Sequence, residues 1–205
     1  MRKVIALLIC ACAVFCLVAC GSTNNQKGDF DINSVKTLGD ALKLDVNGSS
    51  YAYSTDKYVM VFEYKGAKYR VIANITEELS NKLDEIDYYD NQREEKFRNI
   101  LSDVQVVSAE NLTAQLPTSE QLNAYVGKTG KELLDDGFEY EGFDSNGQVF
   151  YMDKGVASLY VFFNETVEYS DDFIPYEVLN DMTVKKIDLV GVTNNAVDQI
   201  FSGEY

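Results

Sequence analysis

Carboxylates make up most of the chemically reactive side chains in this sequence. The chain has 33 Asp and Glu residues, no His, no Trp and four Cys, at positions 10, 12, 16 and 20. The lack of His excludes Ser-His-Asp and Cys-His nucleophilic systems and imidazole-based zinc or haem sites. Hydrolysis by two carboxylates stays open, because a glycosidase needs a pair of acids about 5 to 10 Å apart across a cleft. No pair stands out by its spacing.

Two acidic segments have a spacing that a cation site could use. Asp29, Asp31 and Asn33 resemble the opening of a calcium loop, but Ser34 replaces the turn glycine and Asp40 stands at the twelfth place. The other segment contains the helix acids Glu85, Asp87, Asp90, Glu94 and Glu95. Polar residues at the start of a domain and a solvated helix face are the simpler explanations of the two segments, so we predict no metal and no cofactor.

The N-terminal segment carries the most specific motif. Arg2 and Lys3 precede an apolar run at 4–18, which is shorter than the roughly 20 residues that span a bilayer. The run ends on Leu-Val-Ala-Cys at 17–20, which resembles the lipobox of bacterial lipoproteins. That resemblance implies that Cys20 receives a diacylglycerol thioether and becomes the mature N-terminus. An ordinary cleaved signal peptide and an uncleaved anchor are the alternatives.

On this interpretation residues 1–19 are a signal peptide and residues 20–29 are a flexible tether. Cleavage would remove three of the four Cys, so the folded part would have no disulfides. The two acyl chains of a diacylglycerol give stable attachment, which a single chain does not. We therefore predict a protein anchored to the cell membrane that faces outside the cytoplasm.

The charge of the chain bears on its partners. Cleavage would remove Arg2 and Lys3 from the 18 basic residues and none of the 33 acidic ones, so the formal charge would change from −15 to −17. Such a surface repels nucleic acid and anionic lipid headgroups. We predict no nucleic acid partner and attachment to the membrane through lipid alone.

The two halves of the chain share the pattern Leu-x-Asp-apolar-x-Val, at 101–106 and 179–184, and their starts match loosely at 37–42 and 129–134. We predict an α+β fold of two tandem repeats, 30–116 and 117–205. Each repeat has a helix, about three antiparallel strands, a second helix and a last strand. Packing two such units together buries more apolar surface than one unit can. A chance match of two α+β segments over six residues is the alternative.

Glycine-containing turns between alternating apolar runs predict the hairpins. Strands at 57–64 and 68–75 flank one turn, strands at 148–152 and 156–163 flank another, and a strand at 138–143 leads into the turn Asp144-Ser145-Asn146-Gly147. A helix inserted in the first half runs from Thr76 to about Asp87. The junction lies at 116–120, where Pro117 cannot continue a ladder and Thr118 or Ser119 caps a helix at 121–126.

Both faces of the two hairpins are largely apolar. In the first, Tyr58, Met60, Phe62 and Tyr64 alternate with Val59 and Val61, and the runs 149–152 and 159–163 are similar. Each hairpin is therefore either covered on both sides or shows an aromatic face to a partner. The first alternative, a core between the helices and the other half, is the simpler one.

The segment at 127–137 contains Gly127, Thr129 and Glu132. It resembles the Gly-x-Thr-x-x-Glu helix opening of β-lactamase inhibitory protein and of small outer-membrane assembly lipoproteins, and the second half resembles uncharacterised lipoproteins of clostridial gut bacteria. The resemblance implies a helix pair on a four-stranded antiparallel sheet that binds proteins. We expect a binding module for an envelope protein or an extracellular ligand. The alternative is a small carboxylate-dependent hydrolase of cell-wall or glycan polymers.

Overall fold

Two four-stranded antiparallel sheets carry the architecture of this computed structural model, which describes residues 30–45, 49–87, 89–167 and 175–201. The first sheet has the order β1-β2-β3-β4, with strands Ser50–Tyr53, Lys57–Tyr64, Ala67–Asn74 and Val106–Asn111. The second has the order β5-β6-β7-β8, with strands Phe138–Phe143, Val149–Lys154, Ala157–Phe163 and Val184–Val192. The α+β class and the two similar sheet units are thus confirmed.

The helices lie before and within each sheet unit. In the first unit α1 (Leu38–Leu44) precedes the sheet, and α2 (Glu77–Asp84) and α3 (Arg93–Leu101) connect β3 to β4. In the second, α4 (Ser119–Asn123) and α5 (Gly130–Asp135) precede the sheet, and α6 (Pro175–Leu179) lies between β7 and β8. The predicted order of helix, three strands, helix and strand is therefore present in both units, with α2 as the extra helix of the first.

Equivalent hydrogen bonds join the start and the end of each repeat at the positions that the sequence pattern aligns. Thr37 forms a bridge with Gln105, and Thr129 forms one with Thr183. Two backbone N–H···O bonds accompany each bridge: Leu38 to Val104 at 2.9 Å and Val106 to Lys36 at 2.8 Å in the first repeat, Gly130 to Met182 at 2.8 Å and Val184 to Lys128 at 2.8 Å in the second. Chance similarity over six residues would not produce matching connections of this kind.

The same two threonines start equivalent helices, α1 in the first repeat and α5 in the second. Thr37 Oγ1 accepts from the N–H of Asp40 at 3.1 Å, and Thr129 Oγ1 accepts from that of Glu132 at 3.2 Å. The Asp40 and Glu132 carboxylates accept in return from the N–H of their threonine, which completes a capping box in each case. This is the local reason for the Gly-x-Thr-x-x-Glu pattern.

Two helix boundaries differ from the predictions. The helix predicted from Thr76 to about Asp87 does begin after a Thr76 cap but ends at Asp84, because the chain tightens there and Ile86 donates to Leu83 three residues back. The helix predicted at 121–126 is α4, Ser119–Asn123, since Thr118 is its cap. The predicted strands agree with the structure to within one or two residues at each end, because alternation and turn glycines mark those ends clearly.

The turn at 144–147 forms as predicted. Asp144 accepts from the N–H groups of Gln148 at 2.8 Å and Val149 at 2.9 Å, and Gly147 has the positive φ of 63° that the turn requires. A side chain at Gly147 would also meet the Val167 carbonyl oxygen. This turn therefore sets the register of β5 on β6.

The apolar interior lies on the helical side of each sheet. In the second repeat it includes Leu133, Phe150, Met152, Leu159 and Leu179, all with no measurable exposure. A separate cluster joins the outer face of the first sheet to the chain end, through Val59, Val61, Leu112, Val192, Ala196 and Val197. Because of this second cluster, Asp31–Tyr205 forms one compact unit. Within the described residues, no helix is long and apolar enough to cross a membrane.

Candidate functional site

The outer faces of the two sheets, opposite the helices, have equivalent positions but different surroundings. In the first sheet the cross-strand pairs Val61/Arg70 and Val59/Ile72 form this face. Two short 3₁₀ turns, Asn194–Ala196 and Asp198–Ile200, follow β8 and contribute to the apolar cluster on this face. The first hairpin is thus covered on both sides, as the simpler interpretation of its sequence predicts.

Polar contacts fix this C-terminal segment. Arg70 is 8% exposed, and its guanidinium donates to the Ala196 carbonyl oxygen at 2.8 Å and to Glu110 at 2.8 Å. The Thr193 hydroxyl donates to the buried carboxylate of Asp153. These bonds join the first sheet, the C-terminal segment and the end of strand β6, so the outer face of the first sheet is closed by the chain itself.

The outer face of the second sheet is open. At the positions equivalent to those of the first sheet, it carries the cross-strand pairs Tyr151/Tyr160 and Val149/Phe162. Tyr151 is 38% and Tyr160 is 41% exposed, and their ring centroids lie 5.5 Å apart. We call Val149, Tyr151, Tyr160 and Phe162 the aromatic patch. The second hairpin therefore follows the other alternative, an aromatic face shown to the outside.

Charged side chains flank the aromatic patch. Lys186 lies opposite Phe162 across the β7–β8 ladder, with its ammonium 5.4 Å from the centre of that ring. The same ammonium pairs with Asp188, which lies opposite Tyr160. Glu139 is exposed on β5 at the other side of the sheet. An apolar centre with a charged border is the usual composition of a protein-binding surface.

A cleft lies in the first repeat, between the end of α1, the strand β1 and the helix α3. This cleft has a volume of about 490 Å³, and its lining includes Asp45, Tyr51, Tyr58, Phe97 and Arg98. We call it the tyrosine cleft. Volumes of this size are typical of small-molecule sites.

Three tyrosines stack beside this cleft. The rings of Tyr51 and Tyr58 lie 5.8 Å apart and those of Tyr53 and Tyr58 lie 6.1 Å apart, nearly parallel. Burial and a hydrogen bond to Asp84 raise the pKa of Tyr53 to about 12, and burial also raises the pKa of Tyr58. These phenols therefore stay neutral at physiological pH and offer apolar faces.

Sequence reasoning missed both the cleft and the difference between the two outer faces. Arg98 belongs to a helix that looks like a solvated charge run, and Asp45 follows a different helix. Only the fold brings them together. The signal that could have pointed to the cleft is the rarity of arginine, since the chain has four and two of them, Arg93 and Arg98, line this cavity.

Three of the acids considered as cation ligands have other roles in the structure. Asp31 accepts from the backbone and side-chain nitrogens of Asn33, both at 2.9 Å, and Asp40 belongs to the capping box of α1. Asp90 pairs with Lys96. Among the described residues, no group of three or more possible ligands comes together. Asp29, Cys20 and the lipobox lie outside the described residues.

Hydrolysis by two carboxylates requires one acid whose pKa is raised, so that it can donate a proton. In the described part of the chain, each carboxyl group with a clear shift has a lowered pKa instead. For Asp136 the cause is a hydrogen bond from Lys154, and for Asp144 the cause is donation by backbone N–H groups. Nothing in this geometry favours the hydrolase alternative, which stays a prediction.

Comparison with protein-family models, curated proteins and solved structures gave no match. The resemblances drawn from the lipobox and from the segment at 127–137 therefore stay predictions. The case for a function depends on the aromatic patch, the tyrosine cleft and the N-terminal motif.

Proposed function

We propose that this protein is a lipid-anchored binding module of the cell envelope that holds a partner protein on its aromatic patch, outside the cytoplasm. The observation that supports this most is the contrast between equivalent faces. Val61 and Arg70 are buried under the C-terminal segment, whereas Tyr151 and Tyr160 are exposed. Exposed aromatic side chains that adjoin one another on a rigid sheet are typical of contact surfaces.

Tyrosine suits this role for physical reasons. Its ring buries a large area while only two torsions lose freedom, and its hydroxyl stays hydrated or finds a partner. The sheet below fixes the orientation of both rings before binding, so little additional entropy is lost on association. Removal of the two rings should therefore weaken binding far more than it weakens the fold.

The partner has a basic surface. The formal charge of −15, or −17 after cleavage, attracts cationic proteins and repels anionic ones. Because the Debye length shortens from about 10 Å at 0.1 M salt to about 3 Å at 1 M, the association rate should fall as salt is added. An apolar ligand without charge would show no such dependence.

The anchor is tested separately from the binding surface. Cys20→Ala should move the protein from the membrane fraction to the soluble fraction in a bacterial host, because two acyl chains supply the attachment. Mass spectrometry of the wild-type N-terminus should find a diacylglycerol thioether on Cys20. An unmodified thiol in the wild type, or a Cys20→Ala variant that stays in the membrane, would contradict the anchor.

The binding surface is tested by affinity purification from membranes that contain the tagged full-length protein. The recovered protein is then titrated against the wild type, the Tyr151→Ser/Tyr160→Ser variant and a Tyr89→Ser control. Tyr89 is 86% exposed and lies in the first repeat. Tyr89→Ser therefore removes the same kind of side chain as the double variant, but away from the aromatic patch. We expect the double variant to bind at least tenfold more weakly, a loss of about 1.4 kcal/mol or more.

The Tyr89→Ser control should bind as the wild type does, and both variants should keep their circular dichroism spectrum. A basic partner that binds the double variant and the wild type equally would disprove the role of the aromatic patch. Degradation of a wall polymer by the purified protein, with no partner recovered, would favour the hydrolase alternative instead.

A further inference from the structure

We propose that the tyrosine cleft of the first repeat binds a zwitterionic ligand, an α-amino acid with an apolar side chain. This site lies in the repeat whose outer sheet face is closed, and it does not depend on the aromatic patch. The proposal rests on the charges that the cleft presents and on the aromatic rings that line it.

The charged lining of the cleft consists of Arg93, Glu94, Arg98 and Asp45, and the last two do not pair with each other. Arg98 forms one long hydrogen bond, from its guanidinium to the Leu42 carbonyl oxygen at 3.4 Å, and no ion pair within the described residues. The guanidinium is therefore available to a carboxylate in the bidentate geometry that arginine favours.

The anion is Asp45. Its Oδ1 atom is buried without a hydrogen-bond partner among the described residues, although Asp45 lines the same cleft as Arg98. A buried carboxylate oxygen without a donor costs free energy that a ligand can recover by donating to it. An ammonium group is the donor that satisfies both the charge and the hydrogen bond.

An α-amino acid places a carboxylate and an ammonium on one carbon atom and can contact both groups at once. Neither a simple anion nor a simple cation satisfies both sides of the cleft. The cleft therefore selects a zwitterion over a simple anion or a simple cation because it presents both charges.

The remaining lining selects an apolar side chain. Phe97 is 7% exposed and Tyr58 is 2% exposed, and the Tyr51 ring lies 5.3 Å from that of Phe97. Aromatic walls of this kind favour apolar or aromatic groups and disfavour polar ones. The Tyr51 hydroxyl is already occupied as the acceptor of a hydrogen bond from Arg93 at 2.8 Å, so it stays in position when the ligand enters.

The experiment is a calorimetric titration of the full chain with three probes. L-phenylalanine carries both charges, N-acetyl-L-phenylalanine carries only the carboxylate and L-phenylalaninamide carries only the ammonium. We expect L-phenylalanine to bind with a dissociation constant in the millimolar range or below, and each blocked analogue to bind at least fivefold more weakly.

Two variants assign each charge to its partner. In Arg98→Gln, L-phenylalanine should bind no better than L-phenylalaninamide, because the contact to the carboxylate is gone. In Asp45→Asn, it should bind no better than N-acetyl-L-phenylalanine. The control is Lys43→Gln, which removes a neighbouring exposed charge outside the cleft and should leave all three affinities within twofold.

Arg98 is exposed, so we expect Arg98→Gln to fold even if Asp45→Asn does not. In that case the relative affinities of Arg98→Gln for the three probes test the proposal by themselves. Failure of L-phenylalanine to bind at about 10 mM, a range in which weak specific sites are still detected, would overturn the proposal. So would equal binding of the three probes to the wild type. A variant that folds but keeps the wild-type preference would also overturn it.

Discussion

At the scale of single residues, one of the buried polar contacts that hold the C-terminal segment joins Thr193 to Asp153. Asp153 is 3% exposed and accepts from the Thr193 hydroxyl and, at 3.3 Å, from the Asn195 side chain. The Thr193 N–H also donates to the Val156 carbonyl oxygen at 2.9 Å. A charged group at this depth is stable only while it keeps its donors.

Thr193→Val should therefore lower the free energy of unfolding by about 2 to 3 kcal/mol, since it keeps the shape of the side chain but leaves the Asp153 carboxylate short of a donor. Chemical denaturation followed by circular dichroism measures the change. The control is Thr183→Val, at a half-buried position whose described contacts are those of its backbone, and it should change stability by less than about 0.5 kcal/mol. A Thr193→Val variant as stable as the control would contradict the role of this contact.

A second residue-scale prediction concerns Gly130, the first residue of α5. A Cβ atom there would lie 2.1 Å from the Leu179 carbonyl oxygen, where α5 meets the end of α6. Backbone atoms cannot move aside cheaply, so Gly130→Ala should cost about 1 to 3 kcal/mol although alanine is the better helix former by about 1 kcal/mol. The sign of the change is therefore diagnostic.

Thermal unfolding measures this effect, with Lys131→Ala as the neighbouring control. Lys131 is exposed and forms only a surface ion pair with Asp135, which contributes little to stability. If Gly130→Ala were as stable as the wild type or more so, helix propensity would outweigh the close approach, and the equivalence of the two helix–strand junctions would lose its structural basis.

At the scale of secondary-structure elements, the capping boxes make stability depend on pH. The pKa of Asp40 is lowered because the N–H groups of Thr37 and Lys36 donate to its carboxylate, and the pKa of Glu132 is lowered chiefly by the N–H of Thr129. A lowered pKa in the folded state means that this stability is fully present above the unfolded-state pKa, about 4. It is lost as the pH falls through the folded-state value.

The thermal midpoint of the wild type should accordingly fall as the pH is reduced from about 5 to about 2, and it should fall less in Asp40→Asn/Glu132→Gln. The amide side chains of this variant do not ionise, so the part of the stability that depends on the charge of the two capping carboxylates is already absent. Glu139→Gln, at an exposed strand position outside both caps, is the control and should follow the wild-type curve. Identical pH dependence in the double variant and the wild type would contradict this assignment.

The strands and the repeat could be predicted because local sequence patterns mark them. The hairpins follow from alternation of apolar residues and from turn glycines such as Gly66 and Gly155, both with positive φ. The repeat is visible because the Leu-x-Asp pattern marks the same helix-to-strand change twice. Helix ends were less predictable, as the α4 boundary shows, because two adjacent residues, Thr118 and Ser119, could each serve as the cap.

At the scale of the whole molecule, the properties that matter for function depend on contacts between distant segments. Nothing in the short polar sequence at 193–195 predicts that the chain after β8 packs on the first sheet, since it has no periodicity. The tyrosine cleft likewise needs side chains from α1, β1, β2 and α3. The duplication itself was predictable, but not which of its two outer faces the chain covers.

This asymmetry gives the two outer faces of the duplicated fold different surroundings. One copy loses its outer face to the chain end, and the other keeps that face and carries Tyr151 and Tyr160 where the first has Val61 and Arg70. The polar–apolar pair of the first repeat suits an internal contact, whereas the two tyrosines suit an external one. The charge of the chain then favours a basic partner.

Site-specific photo-crosslinking from position 160 in the full-length protein, expressed in a bacterial host, tests this account most directly. A photoreactive phenylalanine in place of Tyr160 should form an adduct with one protein of basic isoelectric point, and the adduct should be lost when Tyr151→Ser is added or when the photoreactive residue stands at Tyr89 instead. If position 160 formed no adduct, or formed the same adducts as position 89, the aromatic patch would not be the docking surface.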